Sequence, residues 1–238
     1  MSDLRPVAPR RDVFDHRLRE LWAEQLGRRL DVLVAGCLRD EATVPDWIEA
    51  RLTGVDEDLP VIRSAAAERA DLSTCVLGDL RSAPIRPRSF DVIRVSFLLE
   101  RIHHAELVLD RLLQALRPGG LILLRMRDRR SAYGLCDRLT PGWLRRPLWR
   151  HLVTDGTPGP LPAVYEPLTS RDGIHAFCLS RGLMITDDET ATSAPAMNAP
   201  GRGAVALADR LTRGRCPSAH DEITMVIKKP QNHFARLI

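Results

Sequence analysis

Apolar positions along the chain follow two rhythms, one of about 3.6 residues and one of short unbroken runs, and their alternation marks out helices and buried strands. Val13, Leu18, Leu21, Trp22 and Leu26 fall near helical spacing and predict an amphipathic helix over residues 13–28. Leu30-Asp31-Val32-Leu33-Val34-Ala35 then runs almost unbroken into Gly36, as a strand buried on both faces does. The stretch from Cys37 to about Arg51 is expected to be helical, with Pro45 in its first turn or interrupting it. Strands follow at 52–55, 74–77 and 91–96, with a short helix over 61–70 after the first of them. From Ala105 to Leu116, Leu107, Val108, Leu112, Leu113 and Leu116 share one helical face. That helix is expected to stop at Arg117-Pro118-Gly119-Gly120, ahead of a central strand over 121–124.

Beyond Arg125 the rhythm breaks down until about Pro167, where Thr157-Pro158-Gly159-Pro160-Leu161-Pro162 reads as a stiff loop. A helix over 170–181 ending at Gly182, a strand over 183–186, a short helix over 204–213 and a last strand over 222–227 complete the pattern. Strands that alternate with helices of this length require crossover connections, so the expected fold is α/β: a mostly parallel seven-stranded sheet with helices on both faces. The expected organisation is a flexible arm at 1–12, one domain at 13–230 with an insert or lid at about 127–168, and a tail at 231–238.

A chain of 238 residues with 44% hydrophobic positions can bury one sizeable core. No apolar run approaches the ~18 residues of a membrane span, and the start Met1-Ser2-Asp3-Leu4-Arg5 lacks a secretory apolar region, so a cytoplasmic protein is expected. The five cysteines are scattered, without a C-x-x-C pair, and predict neither a disulfide framework nor a metal site. A net charge of +4 is modest against 31 acidic residues, and it does not by itself call for nucleic acid.

A strand, a glycine turn, a helix and a second strand ending in an acidic residue form the arrangement that holds an adenosine-bearing group at strand C-termini. Asp56 lies twenty positions after Gly36, where a carboxylate can accept hydrogen bonds from both hydroxyls of a ribose; a solvated strand-end aspartate is the alternative.

At these residues the chain resembles the class I S-adenosylmethionine-dependent methyltransferases, from about Asp31 to Arg125 and more weakly to Lys229. Gly54-Val55-Asp56 is similar to the family's ribose-binding strand end, and Gly78-Asp79-Leu80 to its adenine-contacting segment. Ser89-Phe90-Asp91-Val92-Ile93, Leu98-Leu99-Glu100 and Leu116-Arg117-Pro118-Gly119-Gly120 match in residue type and spacing. The resemblance implies a Rossmann-like methyltransferase fold with S-adenosyl-L-methionine as cofactor, held by Gly36, Cys37, Asp40, Asp56, Glu57, Asp79, Leu80 and Ser96. The first motif departs from the family: Val34-Ala35-Gly36-Cys37-Leu38-Arg39-Asp40 keeps one glycine, and Leu38 and Asp40 put side chains where the cofactor's methionine portion would lie. Asp40 could compensate by facing the cofactor's amino group.

Methyl transfer from a sulfonium asks mainly for alignment and exclusion of water, with a base only where a hydroxyl attacks. His103 and His104 follow the fourth strand and are the candidate bases, against the alternative of two exposed histidines at a helix start. The family's frequent histidine after the glutamate is Arg101 here. Arg130, Trp143 and Tyr165 are the candidate substrate residues, and the arginine-rich stretch from Arg125 to Arg150 would favour an anionic or carrier-tethered acceptor. The leading expectation is a methyltransferase acting on a small molecule, in bacterial biosynthesis. The alternative is an inactive methyltransferase-fold binding or scaffold protein that has lost the cofactor. No membrane partner is expected and nucleic acid is disfavoured, while a homo-oligomer or a protein partner stays open.

Overall fold

The computed structural model describes residues 12–37, 44–144, 161–192 and 199–231. In chain order the elements are α1 (Asp12–Glu24), β1 (Leu30–Ala35), β2 (Ala50–Asp56), α2 (Pro60–Ala67), β3 (Thr74–Leu77), β4 (Phe90–Ser96), α3 (Ala105–Ala115), β5 (Leu116–Arg127), α4 (Ala132–Leu139), α5 (Arg171–Ser180), β6 (Met184–Ala191), α6 (Ala199–Leu211) and β7 (Glu222–Lys228). The seven strands form one sheet in the order β3-β2-β1-β4-β5-β7-β6. Strands β3, β2, β1, β4 and β5 are mutually parallel, while β7 runs antiparallel to both β5 and β6.

The sheet's central strands are apolar without alternation because both faces are covered. Leu33 and Ala35 join the core that includes Leu109 and Leu112 of α3 and Ile174 and Phe177 of α5. Val32 and Val34 point the other way, into the core built with Phe14, Leu18 and Leu21 of α1. Neighbouring positions of β5 divide in the same manner: Ile122 and Leu124 lie with the first core, Leu121 and Leu123 with the second.

The sequence pattern misplaces several elements. The expected helix up to Arg51 does not form over its described part, since residues 44–49 are turns and bends and β2 already begins at Ala50, paired with Leu30. Pro45 removes an amide and disfavours helix in the residue before it. Residues 117–120 are not a turn between helix and strand: β5 runs unbroken from Leu116, and the irregularity is absorbed by a register shift opposite Phe90 and Val92. Helix α4 lies in the stretch that showed no periodicity, capped by Ser131, whose hydroxyl accepts the Gly134 amide. Strand β6 continues to Ala191 through Thr186-Asp187-Asp188-Glu189, acids that suit an edge strand because Arg17 pairs with Asp187, and Arg171 and His175 with Asp188. Helix α6 begins at Ala199, ahead of its expected start. Of the expected arm at 1–12 and tail at 231–238, residues 1–11 and 232–238 lie outside the described residues. No helix among the described residues is long and apolar enough to cross a membrane.

Candidate functional site at the strand tips

The direction of strand addition reverses between β1 and β4, and in open α/β sheets such a switch point leaves a crevice beyond the strand C-termini. Four strand ends border it: Gly36-Cys37 after β1, Asp56-Glu57 at the end of β2, Gly78-Asp79-Leu80 after β3, and Ser96-Phe97 at the end of β4.

Gly36 has φ +98°, and a Cβ on it would lie 2.2 Å from the Ser96 carbonyl oxygen. Only glycine allows β1 to leave the sheet this close to β4. The turn it makes aims the Cys37 amide at Asp56, which accepts that N–H at Oδ2 over 2.7 Å. Oδ1 of Asp56 accepts the Glu57 amide at 2.7 Å and is in ion-pair contact with the Arg101 guanidinium. Asp56 is 0% exposed and Arg101 2%. The carboxylate expected to face a ribose is therefore compensated inside the protein, by two amides and one cation, as a buried charge must be. Arg101 itself keeps unused capacity, because its Nε and Nη1 are buried with no hydrogen-bond partner among the described residues.

At the tip of β2, Glu57 is the acid that still offers an acceptor. It is half-buried, its Oε2 has no hydrogen-bond partner among the described residues, and burial raises its pKa against the opposing pull of Arg101. Its unspent oxygen has the character of a group that gains from a hydroxyl donor. Asp79 is exposed and held by Arg81, whose side chain and amide both donate to it and pull its pKa down to about 2. Leu80 next to it is buried, and Ser96 accepts from the Arg94 Nε at 3.2 Å.

The segment from Phe97 to His104 forms the far wall. Its Leu98, Leu99, Glu100 and Ile102 are buried, and burial pushes the Glu100 carboxyl up to about 7. The Glu100 carbonyl accepts both the Val164 and Tyr165 amides at 2.9 Å. Glu166 completes this clamp from the same segment: its two carboxylate oxygens accept the His104 amide at 2.7 Å and the Ala105 amide at 2.9 Å, which caps α3 where unpaired amides favour an anion. His103 and His104 are exposed, and His104 takes a left-handed φ of +57° at the helix start. Of the two, His103 lies within electrostatic reach of Glu57.

The three substrate candidates do not come together as an exposed wall. Tyr165 is buried, its hydroxyl donates to Asp137 at 3.0 Å, and burial raises its phenol well above the usual range, so it packs beneath the Phe97–His104 segment instead of lining an open pocket. Trp143 is 76% exposed and Arg130 is an exposed partner of Asp172, so both face outward. Part of the arginine stretch does converge, since the Arg125 and Arg127 guanidinium carbons sit 5.0 and 5.2 Å from the Phe97 ring centroid. Each is matched by an acid of β7 or its lead-in, Arg125 by Glu222 and Arg127 by Asp221. Asp40, Arg145, Arg146, Trp149 and Arg150 fall outside the described residues. Arg101, Glu100 and Glu166 are the site residues that the sequence pattern did not single out for a role. The available signal was the pair Glu100-Arg101 inside an otherwise apolar run from Phe97 to Ile102, where two charges require partners. Among the described residues no three or more His, Cys, Asp or Glu side chains gather as metal ligands.

Residues 33–124 match the family model described as a methyltransferase domain. No curated protein sequence matches the chain. Among solved structures, the (4+2)-cyclase SpnF is similar at 17% identity and a TM-score of 0.53, over 97% of this chain and 86% of its own. An S-adenosylmethionine-dependent methyltransferase from Mesorhizobium loti is similar at 16% identity and a TM-score of 0.53, over 90% of this chain and 96% of its own. The YcgJ protein from Bacillus subtilis shares 15% identity at a TM-score of 0.51, over 91% of this chain and 100% of its own. The sheet order, with strand β7 antiparallel to its neighbours, and the matched segment across β1 to β5 together show the Rossmann-like methyltransferase fold.

Proposed function

We propose that this chain is an S-adenosylmethionine-dependent methyltransferase acting on a small molecule, with Glu57 rather than Asp56 as the acid that receives the ribose hydroxyls. The observation that carries the reading is the buried, unpartnered Oε2 of Glu57 at the tip of β2, beside the switch point of the sheet. Asp56 does not fit the ribose role as it stands, because its oxygens are spent on Cys37, Glu57 and Arg101. Its part is to hold the Gly36-Cys37 turn and Glu57 in place. Leu80 and the Asp79 turn would border the adenine, and Ser96 the sulfonium side, with Asp40 retained as a candidate for the amino group.

The cofactor, when bound, supplies a methyl group on a positively charged sulfur, an electrophile that asks for no acid from the protein. The chain's own work is to align an acceptor and keep water out, for which the clamped Phe97–His104 segment is suited. His103 would hold the acceptor's proton, since it is an exposed base on that segment within electrostatic reach of Glu57. Arg125 and Arg127 are balanced by Glu222 and Asp221, so they contribute shape and stacking around Phe97 more than net positive charge. A compact acceptor presented to the Phe97 ring agrees with that better than a nucleic acid does.

Titration calorimetry with S-adenosylhomocysteine tests the reading. The wild-type chain should bind, and Glu57→Gln should weaken binding roughly 10- to 100-fold, the equivalent of losing a charge-assisted hydrogen bond of about 1.5–3 kcal/mol. Absence of heat at millimolar ligand with a folded wild-type protein would remove the proposal.

A further inference from the structure

Two sulfurs meet beneath the strand tips. In the sheet register Gly54 of β2 lies opposite Val34 of β1 on one side and Cys75 of β3 on the other. A Cβ placed on Gly54 would lie 3.0 Å from the Cys37 sulfur and 3.1 Å from the Cys75 sulfur. The missing side chain is thus the space that both thiols use. Cys37 reaches it by folding back from the turn after β1, with its Sγ 3.6 Å from the Val34 carbonyl and 3.8 Å from that of Val55. Cys75 reaches it from β3, so that both sulfurs border the one missing side chain. Their accessibility differs, since Cys37 is buried and Cys75 exposed.

We infer that Cys37 and Cys75 are a redox modification site, a dithiol that closes into a disulfide across β2 when a small disulfide reaches Cys75. The exposed Cys75 thiolate attacks the external disulfide and forms a mixed disulfide, releasing one small thiol. Cys37 gives up its proton and attacks the Cys75 sulfur, which expels the second small thiol. Two protein S–H groups become one S–S bond, and one external disulfide becomes two thiols. Burial raises both thiols, so the pair reacts slowly at neutral pH and faster as pH rises.

Closure has a structural consequence, because the residue that carries one sulfur also carries the amide that Asp56 accepts. A disulfide would tie the turn after β1 to β3 and limit the adjustment of the β2 tip between them. The inference does not depend on the cofactor reading.

The test uses the reduced full-length chain, treated with oxidised glutathione at neutral and mildly alkaline pH, then alkylated, digested and analysed by mass spectrometry. The expected result is a Cys37–Cys75 linked peptide pair, lighter by two hydrogens and reversed by dithiothreitol. Alkylation should be lost from both residues together, at a rate rising about tenfold per pH unit while the thiols remain mostly protonated. Cys75→Ser should leave Cys37 fully alkylated, whereas Cys178→Ser should change nothing. A Cys75 that keeps glutathione while Cys37 stays free, or a linkage from Cys75 to any other cysteine, overturns the inference.

Discussion

Removing Arg101 should expose how the β2 tip is held together. Asp56 is fully enclosed and cannot recover water when its cation is deleted, so the substitution strands a buried carboxylate. Loss of one member of a buried ion pair generally costs about 3–5 kcal/mol. The amides of Cys37 and Glu57 remain on Asp56 and stabilise part of its charge, which places Arg101→Gln near the lower bound, at about 3 kcal/mol. Asp56→Asn leaves a guanidinium whose Nε and Nη1 already lack partners among the described residues, and the expected loss is near the upper bound, about 5 kcal/mol. The double variant buries neither charge, so its loss should fall short of the two single losses taken together by about 2–3 kcal/mol. Urea unfolding followed by far-ultraviolet circular dichroism gives the three values. Fluorescence of the edge-packed Trp22 and Trp47 serves as a second probe of two-state behaviour. Single losses below about 1 kcal/mol, or additivity within about 0.5 kcal/mol, would refute the claim that Asp56 is neutralised internally.

Glu100 and Gly36 make separable predictions. The Glu100 carboxyl rises from an ordinary 4.5 to about 7, so the folded chain binds its proton more tightly than the unfolded chain; the resulting penalty is absent below about 4.5 and complete above about 7. That gap corresponds to about 3 kcal/mol, and Glu100→Gln should gain on wild type by up to that amount between pH 5 and pH 8, with parallel curves arguing against the burial effect. Gly36→Ala must accommodate both a positive φ and a methyl 2.2 Å from a carbonyl oxygen, and it should cost more than about 2 kcal/mol in the same unfolding assay; a loss under about 1 kcal/mol would show that the β1 exit is not confined by Ser96.

The sheet was legible because its central strands are buried on both faces and say so in uninterrupted aliphatic runs. Leu30–Ala35 and Phe90–Ser96 emerge within a residue of their expected limits. Edge strand β6 was cut short because an edge tolerates Asp187, Asp188 and Glu189 when cations from α1 and α5 lie beside it, and such pairing crosses sequence distance that periodicity cannot see. The placement of Gly36, Asp56, Asp79 and Ser96 at the ends of neighbouring strands was equally readable. What those groups do there was not. The role of Asp56 depends on Arg101, 45 positions away, and the segment holding Arg101 depends on Glu166, 62 positions beyond His104 at its end.

A strand-end carboxylate that relies on ligand hydroxyls is incompletely compensated until the ligand arrives, and ligand binding then contributes to folded-state stability. Arg101 changes that relation at Asp56, because the charge is met whether or not anything occupies the crevice. Glu57 is left in the other condition, one residue along, raised by burial and short of a donor. On the proposed reading the two acids therefore divide tasks that one residue could have combined. Substituting Asp56 should lower stability first and affinity only as the turn loosens, whereas substituting Glu57 should lower affinity while the empty protein unfolds at the same urea concentration or a slightly higher one.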